Sequence, residues 1–346
     1  VSRQIRLAFL GCGYITKVHS RNLRSLSADI VCSYASRDLQ KAEEFKRRYQ
    51  GVAAYGSYEA AIQSDQVDAV VIAVPPKYHL DLSLKALAAG KHVVLEKPAC
   101  LTMADYETTL AARNAAGKVI IVGENDHYKP LAVRLRQLIA DGVLGDMLFG
   151  HFTTLAKLPK KADDWRNDES MAGGDAFFEE GIHWLHVAGS LGPKIVSIQG
   201  YRPPPRLDGP DRRLKSMLVS FQYDNGAAGS LYYSREVPSL LRGLRWSKLF
   251  GRDGIITFES NGVFVLVRGK HWFPKIIFPG FRDIRGYQAM YRDFVHAIRT
   301  GTQPEMSLER AIEDQKLMDM VYGSLSGRFF SNSGHRRREG GPSSVS

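Results

Sequence analysis

The sequence predicts an α/β protein in two parts: an N-terminal doubly wound parallel sheet of Rossmann type, and a C-terminal α+β domain with a mostly antiparallel open sheet. Three observations predict it. Short apolar runs alternate with helical patterns through the first third of the chain, as in a parallel sheet covered on both faces. From Met147 onward strand-like runs dominate, several joined by hairpin-like turns such as Asp224-Asn225-Gly226. The chain has 346 residues, 44% of them apolar, more than one domain usually needs.

The elements follow in order. Ile5–Leu10 is a strand, followed by a glycine turn and a helix over Thr16–Ser27. Ile30–Ala35 is the second strand, then Leu39–Tyr49 an amphipathic helix and Ser57–Gln63 a short one. Ala69–Ala73 is a strand bounded by Pro75-Pro76, and Tyr78–Ala89 a helix stopped by Gly90. His92–Leu95 and Val119–Val122 are strands on either side of a helix over Met103–Ala116. Leu131–Asp141 is the next helix. Strands follow at Leu148–Thr154, Ile195–Tyr201, Ser216–Tyr223, Ala227–Tyr233, Lys248–Phe250, Ile255–Phe258 and Phe264–Arg268. Helices near Tyr287–Arg299 and Leu308–Ser324 close the chain, and Arg202–Arg213, with its prolines, is a loop. The expected division is a Rossmann domain over 1–123, a substrate domain over 124–330 and a disordered basic tail over 331–346.

Composition narrows the function classes. The net charge is +11, but it is spread along the chain, with one cluster at His335-Arg336-Arg337-Arg338. No helix-turn-helix, zinc-finger or aromatic-interleaved basic strand is present, so no nucleic-acid partner is expected. No run of about eighteen apolar residues exists, so no membrane span is expected. The N-terminus enters a strand at once, without the pattern of a secretory signal. Cys12, Cys32 and Cys100 are odd in number and scattered, against a disulfide framework or a cysteine zinc site and in favour of a cytoplasmic location.

Gly11-Cys12-Gly13-Tyr14-Ile15-Thr16 follows a strand and opens a helix. Gly11 permits the tight turn, Gly13 lets backbone approach a pyrophosphate, and the helix N-terminus offers amide hydrogens to the phosphates. Thr16 occupies the position of the third glycine of the usual fingerprint. The second strand ends in Ala35-Ser36-Arg37-Asp38. Ser36 and Arg37 suit a ribose 2′-phosphate, whereas Asp38 turned inward would suit a 2′-hydroxyl. NADP is the preferred cofactor on this reading and NAD the alternative.

Further motifs lie at Ala73-Val74-Pro75-Pro76-Lys77-Tyr78-His79 and at Glu96-Lys97-Pro98. Asn125 and Pro130 before a helix, then Trp165-Arg166, Gly173-Gly174 and Gly181-Ile182-His183 follow. With this ordered set, from about Ile5 to about Leu325, the chain resembles the Gfo/Idh/MocA oxidoreductases. The resemblance implies an NAD(P)-binding Rossmann domain and a second domain whose open sheet face makes a homo-dimer or homo-tetramer. It implies oxidation of a secondary alcohol of a sugar or polyol, or the reverse. Lys97 would contact the reacting hydroxyl, His183 would act as acid or base, and Glu179 would complete the catalytic set. Gly11, Gly13, Tyr14, Ile15, Ser36, Arg37, Pro75, His79, Glu96, Lys97, Asn125, Trp165 and Arg166 would hold the cofactor. Glu96 would orient Lys97 or pair with it.

Chemistry supports the two central roles. Removing hydride from a carbinol requires loss of the hydroxyl proton, and lysine and histidine are groups that handle such a proton. Glu179, His183 and His186 lie at i, i+4 and i+7, one helical face and also a metal-compatible spacing; no metal is expected. Departures from the family pattern sit at Pro76, His127, Asp175, Glu179 and His186, and they are expected to surround the substrate pocket. Two other functions share this framework: a non-catalytic dinucleotide sensor, and redox-assisted elimination with a recycled cofactor.

Overall fold

The computed structural model describes residues 3–157, 164–204, 215–238, 245–270 and 272–326. The first six strands are β1 (Ile5–Leu10), β2 (Ile30–Ala35), β3 (Ala53–Tyr55), β4 (Ala69–Ile72), β5 (His92–Leu95) and β6 (Ile120–Val122). They form one parallel sheet in the order β3-β2-β1-β4-β5-β6. The central strands are buried along nearly their whole length, because helices cover both faces. Those helices are α1 (Tyr14–Leu23), α2 (Leu39–Tyr49), α3 (Tyr58–Gln63), α4 (His79–Ala88) and α5 (Met103–Ala116). The helix expected over Thr16–Ser27 ends at Leu23, and a 3-10 turn over Arg24–Leu26 follows it. Strand β3 was not legible in the sequence: it has three residues, two of them alanine, at a half-buried sheet edge.

The second sheet follows α6 (Pro130–Ala140). Its strands are β7 (Met147–Leu155), β8 (Ile195–Tyr201), β9 (Ser216–Tyr223), β10 (Ala228–Ser234), β11 (Trp246–Gly251), β12 (Gly254–Glu259), β13 (Val265–Gly269) and β14 (Trp272–Ile277). The order is β14-β13-β12-β11-β7-β10-β9-β8, and among the described strands of this sheet β7 and β10 are the one parallel pair. Alternate residues of these strands, including Phe152, Val219, Leu231, Leu249 and Phe258, meet α8 (Ala176–Gly189) and α10 (Leu308–Ser326) in a second core. The short helix α7 (Glu169–Ala172) precedes α8. The other face leaves Phe149, Tyr232, Trp246 and Ile276 exposed.

Helix α9 (Tyr287–Thr300) returns late in the chain to the first sheet. Its Met290, Tyr291 and Phe294 are fully buried in the core around β1 and β5. The tail 331–346 and most of the Arg202–Arg213 loop lie outside the described residues.

One core contact makes stability sensitive to acid. His92 on β5 accepts the Val119 N–H at Nδ1, 3.1 Å away, so that nitrogen must be unprotonated. Burial, helped by Lys118, pushes the imidazole down from its ordinary 6.5 to about 4. Between those values the unfolded chain takes up a proton that the folded chain does not. Stability from this group is therefore complete above pH 6.5 and declines as the pH falls toward 4. Melting temperature against pH should fall over that window, less steeply in His92→Gln; an equal slope would assign the acid sensitivity to other groups.

Candidate active site

All six parallel strands point their C-terminal ends to one edge of the sheet, and the predicted cofactor residues from Gly11 to Asn125 lie in the segments after those strands, whereas Trp165 and Arg166 come from a 3-10 turn of the second domain. After β1, Gly11 adopts φ +111°, and a Cβ on it would lie 2.6 Å from the Ala73 carbonyl oxygen. Glycine is required there by both backbone conformation and space. Gly13 begins α1 with no side-chain cap, and a Cβ added to it would meet no atom within 4 Å. The exposed amides and clear approach fit a dinucleotide pyrophosphate. Thr16 is buried and donates its hydroxyl to the Gly11 carbonyl at 2.6 Å, so the residue replacing the third glycine closes the turn. Tyr14 is exposed, and Ile15 is partly buried against the first core.

Beyond β2, Ser36 is buried and accepts the Asp38 N–H at 3.2 Å. Asp38 caps α2, accepting from the amides of Gln40 and Lys41 at 3.0 and 3.4 Å. Its carboxylate serves the helix rather than turning inward. Arg37 is exposed and reaches Tyr58, whose phenol is pushed up by burial against the opposing charge of Arg37. Pro75 precedes the 3-10 turn Pro76–Tyr78, in which Pro76 takes the first position. His79 is buried, with Nδ1 2.9 Å from the Pro98 carbonyl and Nε2 3.0 Å from that of Val74. Burial holds it below the ordinary imidazole range. Its ring joins the ends of β4 and β5, and it reaches the cofactor region through that backbone.

Glu96, Lys97 and cis Pro98 follow β5. Glu96 turns away from Lys97: its Oε1 is 2.8 Å from Nε2 of His19, whose Nδ1 is 2.6 Å from the Tyr291 hydroxyl. Burial works against the charge on Glu96, yet the hydrogen bond and charge of His19 hold the carboxyl below its usual range. The chain Glu96–His19–Tyr291 therefore ties β5 to α1 and α9. Lys97 Nζ donates to the Glu179 carbonyl at 2.8 Å and lies 3.8 Å from Glu179 Oε1. Arg166 Nε donates to the same carboxylate oxygen at 3.0 Å, and its guanidinium stacks on Trp165 at 4.6 Å. Lys97, Glu179, Trp165 and Arg166 are thus one assembly.

The carbonyl that Lys97 contacts lies one helical turn before His183. His183 Nδ1 is 2.6 Å from Glu124 Oε1, and its Nε2 makes no hydrogen bond among the described residues. A carboxylate in that position only accepts, so Nδ1 carries a proton, and in the neutral imidazole Nε2 then presents a lone pair. Asp126, beside Glu124, pairs with Lys129 at 2.6 Å. Asn125 is buried and donates to the Arg285 carbonyl at 2.7 Å, which anchors the turn after β6.

Glu179, His183 and His186 do share a face of α8, but each has a different partner. His186 is fully buried between Asp314 (2.8 Å) and His127 (3.0 Å). Ligand atoms of Glu124, Asp126 and His183 do converge within 4.8 Å. With His183 bonded to Glu124 and Lys129 to Asp126, that group is a proton-sharing and ion-paired network.

None of the residues that depart from the family pattern lines the cavity that opens beside His183. His127 and His186 contact each other, so two unusual residues form one buried unit, and His127 also meets Glu305 at 3.0 Å. Asp175 caps α8 through the amides of Phe177 and Phe178 and binds Arg202 and Tyr322. Pro76 shapes a turn, and Glu179 keeps its carboxylate beside Lys97.

A cavity of about 220 Å³ opens beside His183, and Trp184, Lys129, Arg235, Arg245 and Glu180 also line it. Trp184 thus meets the cavity, while Phe177 and Phe178 are core residues. Glu124, His19 and Arg245 are the site residues the sequence did not single out. The available signal for Glu124 was a carboxylate placed just past the end of a parallel strand, where ligands bind in such sheets.

A family model described as an oxidoreductase family with an NAD-binding Rossmann fold matches residues 5–124. A second, for the Gfo/Idh/MocA C-terminal domain, matches residues 132–257. The D-xylose 1-dehydrogenase (NADP(+)) 2 of Haloferax volcanii is 25% identical over 85% of this chain and 89% of that protein. The trans-1,2-dihydrobenzene-1,2-diol dehydrogenase of Sus scrofa is 30% identical over 65% of this chain and 67% of that protein. The 1-carboxy-3-chloro-3,4-dihydroxycyclohexa-1,5-diene dehydrogenase of Comamonas testosteroni is 30% identical over 57% of this chain, and the match spans 49% of that protein. Among solved structures, a levoglucosan dehydrogenase complexed with NADH and levoglucosan superposes with a TM-score of 0.83 at 20% identity, covering 94% of this chain and 98% of that one. That likeness shows a shared fold.

Proposed function

The chain belongs to the Gfo/Idh/MocA family of oxidoreductases, and from that membership we propose that it interconverts a secondary alcohol and a ketone on a sugar, polyol or related diol, with NADP as the preferred dinucleotide. The observation that carries this reading is the meeting of Lys97, from the end of β5, with the turn of α8 that bears His183.

The dinucleotide, when bound along Gly11, Gly13 and the start of α1, supplies the hydride acceptor. Lys97 donates a hydrogen bond to the alcohol oxygen and holds the carbinol in place. His183 Nε2 takes the hydroxyl proton as the C–H electron pair leaves and the C=O bond forms. Glu124, on the opposite ring nitrogen, fixes the tautomer and stabilises the imidazolium that results. In the reverse direction His183 returns the proton. Arg166 and Arg235 balance the Glu179 carboxylate, so that Lys97 stays beside the helix carbonyl without being drawn into a tight ion pair.

The test is a screen of sugars, polyols and diols with NADP⁺ and NAD⁺ in parallel, following reduced nicotinamide. Turnover coupled to either cofactor supports the reading; dinucleotide binding with no turnover across the panel would favour a sensor. Exposed Arg37, buried Ser36 and the commitment of Asp38 to its helix support NADP. Arg37→Glu should raise KM for NADP⁺ roughly 10- to 100-fold relative to NAD⁺, the scale of one charged hydrogen bond. A wild type that already prefers NAD⁺ would overturn the NADP assignment.

The open face of the second sheet, with exposed Phe149, Tyr232 and Trp246, is proposed to form a homo-dimer or homo-tetramer. Sedimentation at micromolar concentration should give an even-numbered mass, reduced in Tyr232→Asp; a monomeric wild type contradicts it. No helix among the described residues is long and apolar enough to cross a membrane. The three thiols are free, which supports the cytoplasm as the proposed location.

A further inference from the structure

Among the side chains that line the cavity beside His183, cations outnumber carboxylates. Lys129, Arg235 and Arg245 line it, against the carboxylates of Asp126 and Glu180. Two of the cations are matched. Lys129 pairs with Asp126 at 2.6 Å, and Arg235 pairs closely with Glu180. Arg245 has no such partner: its Nε is buried without a hydrogen bond, and its guanidinium makes no ion pair among the described residues. Asp126 acts weakly on its charge, and the strongest opposing charge is that of Glu259. That carboxylate is occupied by the Asn261 side chain at 2.6 Å and by the amides of Asn261 and Val263 at 3.0 and 3.4 Å.

The backbone holds Arg245 firmly at this place. It immediately precedes β11, donates its own N–H toward Glu259, and accepts the Ser260 N–H at 2.9 Å. Burial lowers the guanidinium from its ordinary range, but arginine remains charged at neutral pH. A partly buried cation with unused donors is costly unless an anion meets it. The guanidinium is a planar fork that matches a carboxylate in both charge and shape. The cavity is also smaller than the roughly 300–1,000 Å³ of sites for drug-sized ligands, which fits a monosaccharide-sized molecule.

We propose that the alcohol substrate carries a carboxylate, held by Arg245 while its reacting hydroxyl faces His183 and Lys97. The substrate class is then a sugar acid, an aldonate or uronate, rather than a neutral sugar. This rests on the alcohol-oxidising reading above and specifies which alcohols the site selects.

The experiment uses matched pairs on the full chain: glucose with glucuronate, galactose with galacturonate, and mannitol with mannonate, with glucose 6-phosphate as a phosphate arm. Wild type, Arg245→Gln and Arg245→Lys are compared by turnover and by ligand-induced shift in melting temperature. Wild type should favour at least one acid over its neutral partner. Arg245→Gln should reduce kcat/KM for that acid about 100-fold, mostly through KM, as expected for losing one partner of a buried charge pair. The neutral partner should lose far less, so the acid-to-neutral preference collapses. Arg245→Lys, which keeps the charge but not the fork, should fall between.

Equal or greater turnover of the neutral partners by wild type overturns the proposal and leaves the dehydrogenase reading intact. Preference for the phosphate overturns the carboxylate assignment. No turnover of any compound, with an acid still raising the melting temperature of wild type but not of Arg245→Gln, supports the anion site and counts against the dehydrogenase reading. Neither turnover nor an acid-specific shift overturns both. If Arg245→Gln fails to fold, the preference of wild type and the response of Arg245→Lys decide.

Discussion

Lys97→Met lowers kcat by about 10³-fold or more and leaves dinucleotide affinity within a few-fold, a loss on the scale of removing a proton-handling group from a transition state. The geometry explains the split. Lys97 Nζ sits 2.8 Å from the Glu179 carbonyl and near its carboxylate, on the side of the site that faces α8. The glycine turn and the N-terminus of α1 lie on separate elements, and the methionine leaves them unchanged. Methionine keeps the length of the stem, so the packing between the loop after β5 and α8 should survive. Single-turnover kinetics with fluorescence titration of the reduced dinucleotide separate the two effects. Retained kcat in Lys97→Met would remove this residue from the reaction, and loss of dinucleotide affinity in parallel would reassign it to cofactor binding.

The second large effect concerns His183 and Glu124 together. His183→Asn should lower kcat by about 10²- to 10⁴-fold, the usual range for general acid–base catalysis. Glu124→Gln should lower it by about 10²-fold, a typical cost of removing the group that orients a working histidine. These losses should not add. Glu124 acts through His183, 2.6 Å away, so Glu124→Gln in a His183→Asn background should cost little more than His183→Asn alone. A double variant whose loss equals the product of the two single losses would mean that Glu124 acts by another route, for example through Asp126 and Lys129. Unchanged dinucleotide affinity in all three variants would confine the effect to the alcohol end.

Much of this was legible along the chain. The parallel sheet showed as short apolar runs between helical patterns, the second sheet as a run of strands, and α2 and α5 as helical patterns with the bounds the structure shows. Local chemistry is enough for such features, because strand period, glycine turns and caps involve residues within a few positions of one another. Gly11 and Gly13 were legible as a turn for the same reason, and the family pattern marks Lys97 and His183 individually.

The pairings were not legible, because each joins residues far apart in sequence. Glu96, next to Lys97, is bound to His19 instead, since α1 and α9 bring an imidazole and a phenol against it in the first core. His186 shares a helical face with His183 but meets Asp314 and His127, since α10 packs behind α8. Glu124 becomes the partner of His183 only when β6 ends against α8. Arg245 is an ordinary basic residue in the sequence, and folding alone places its guanidinium at the cavity with no ion-pair partner among the described residues. Residue pattern was enough to set the two sheets, the glycine turn after β1 and the residue types proposed for the site. Packing then set which charged and polar groups meet, because Coulomb and hydrogen-bond partners depend on distance in space and on burial.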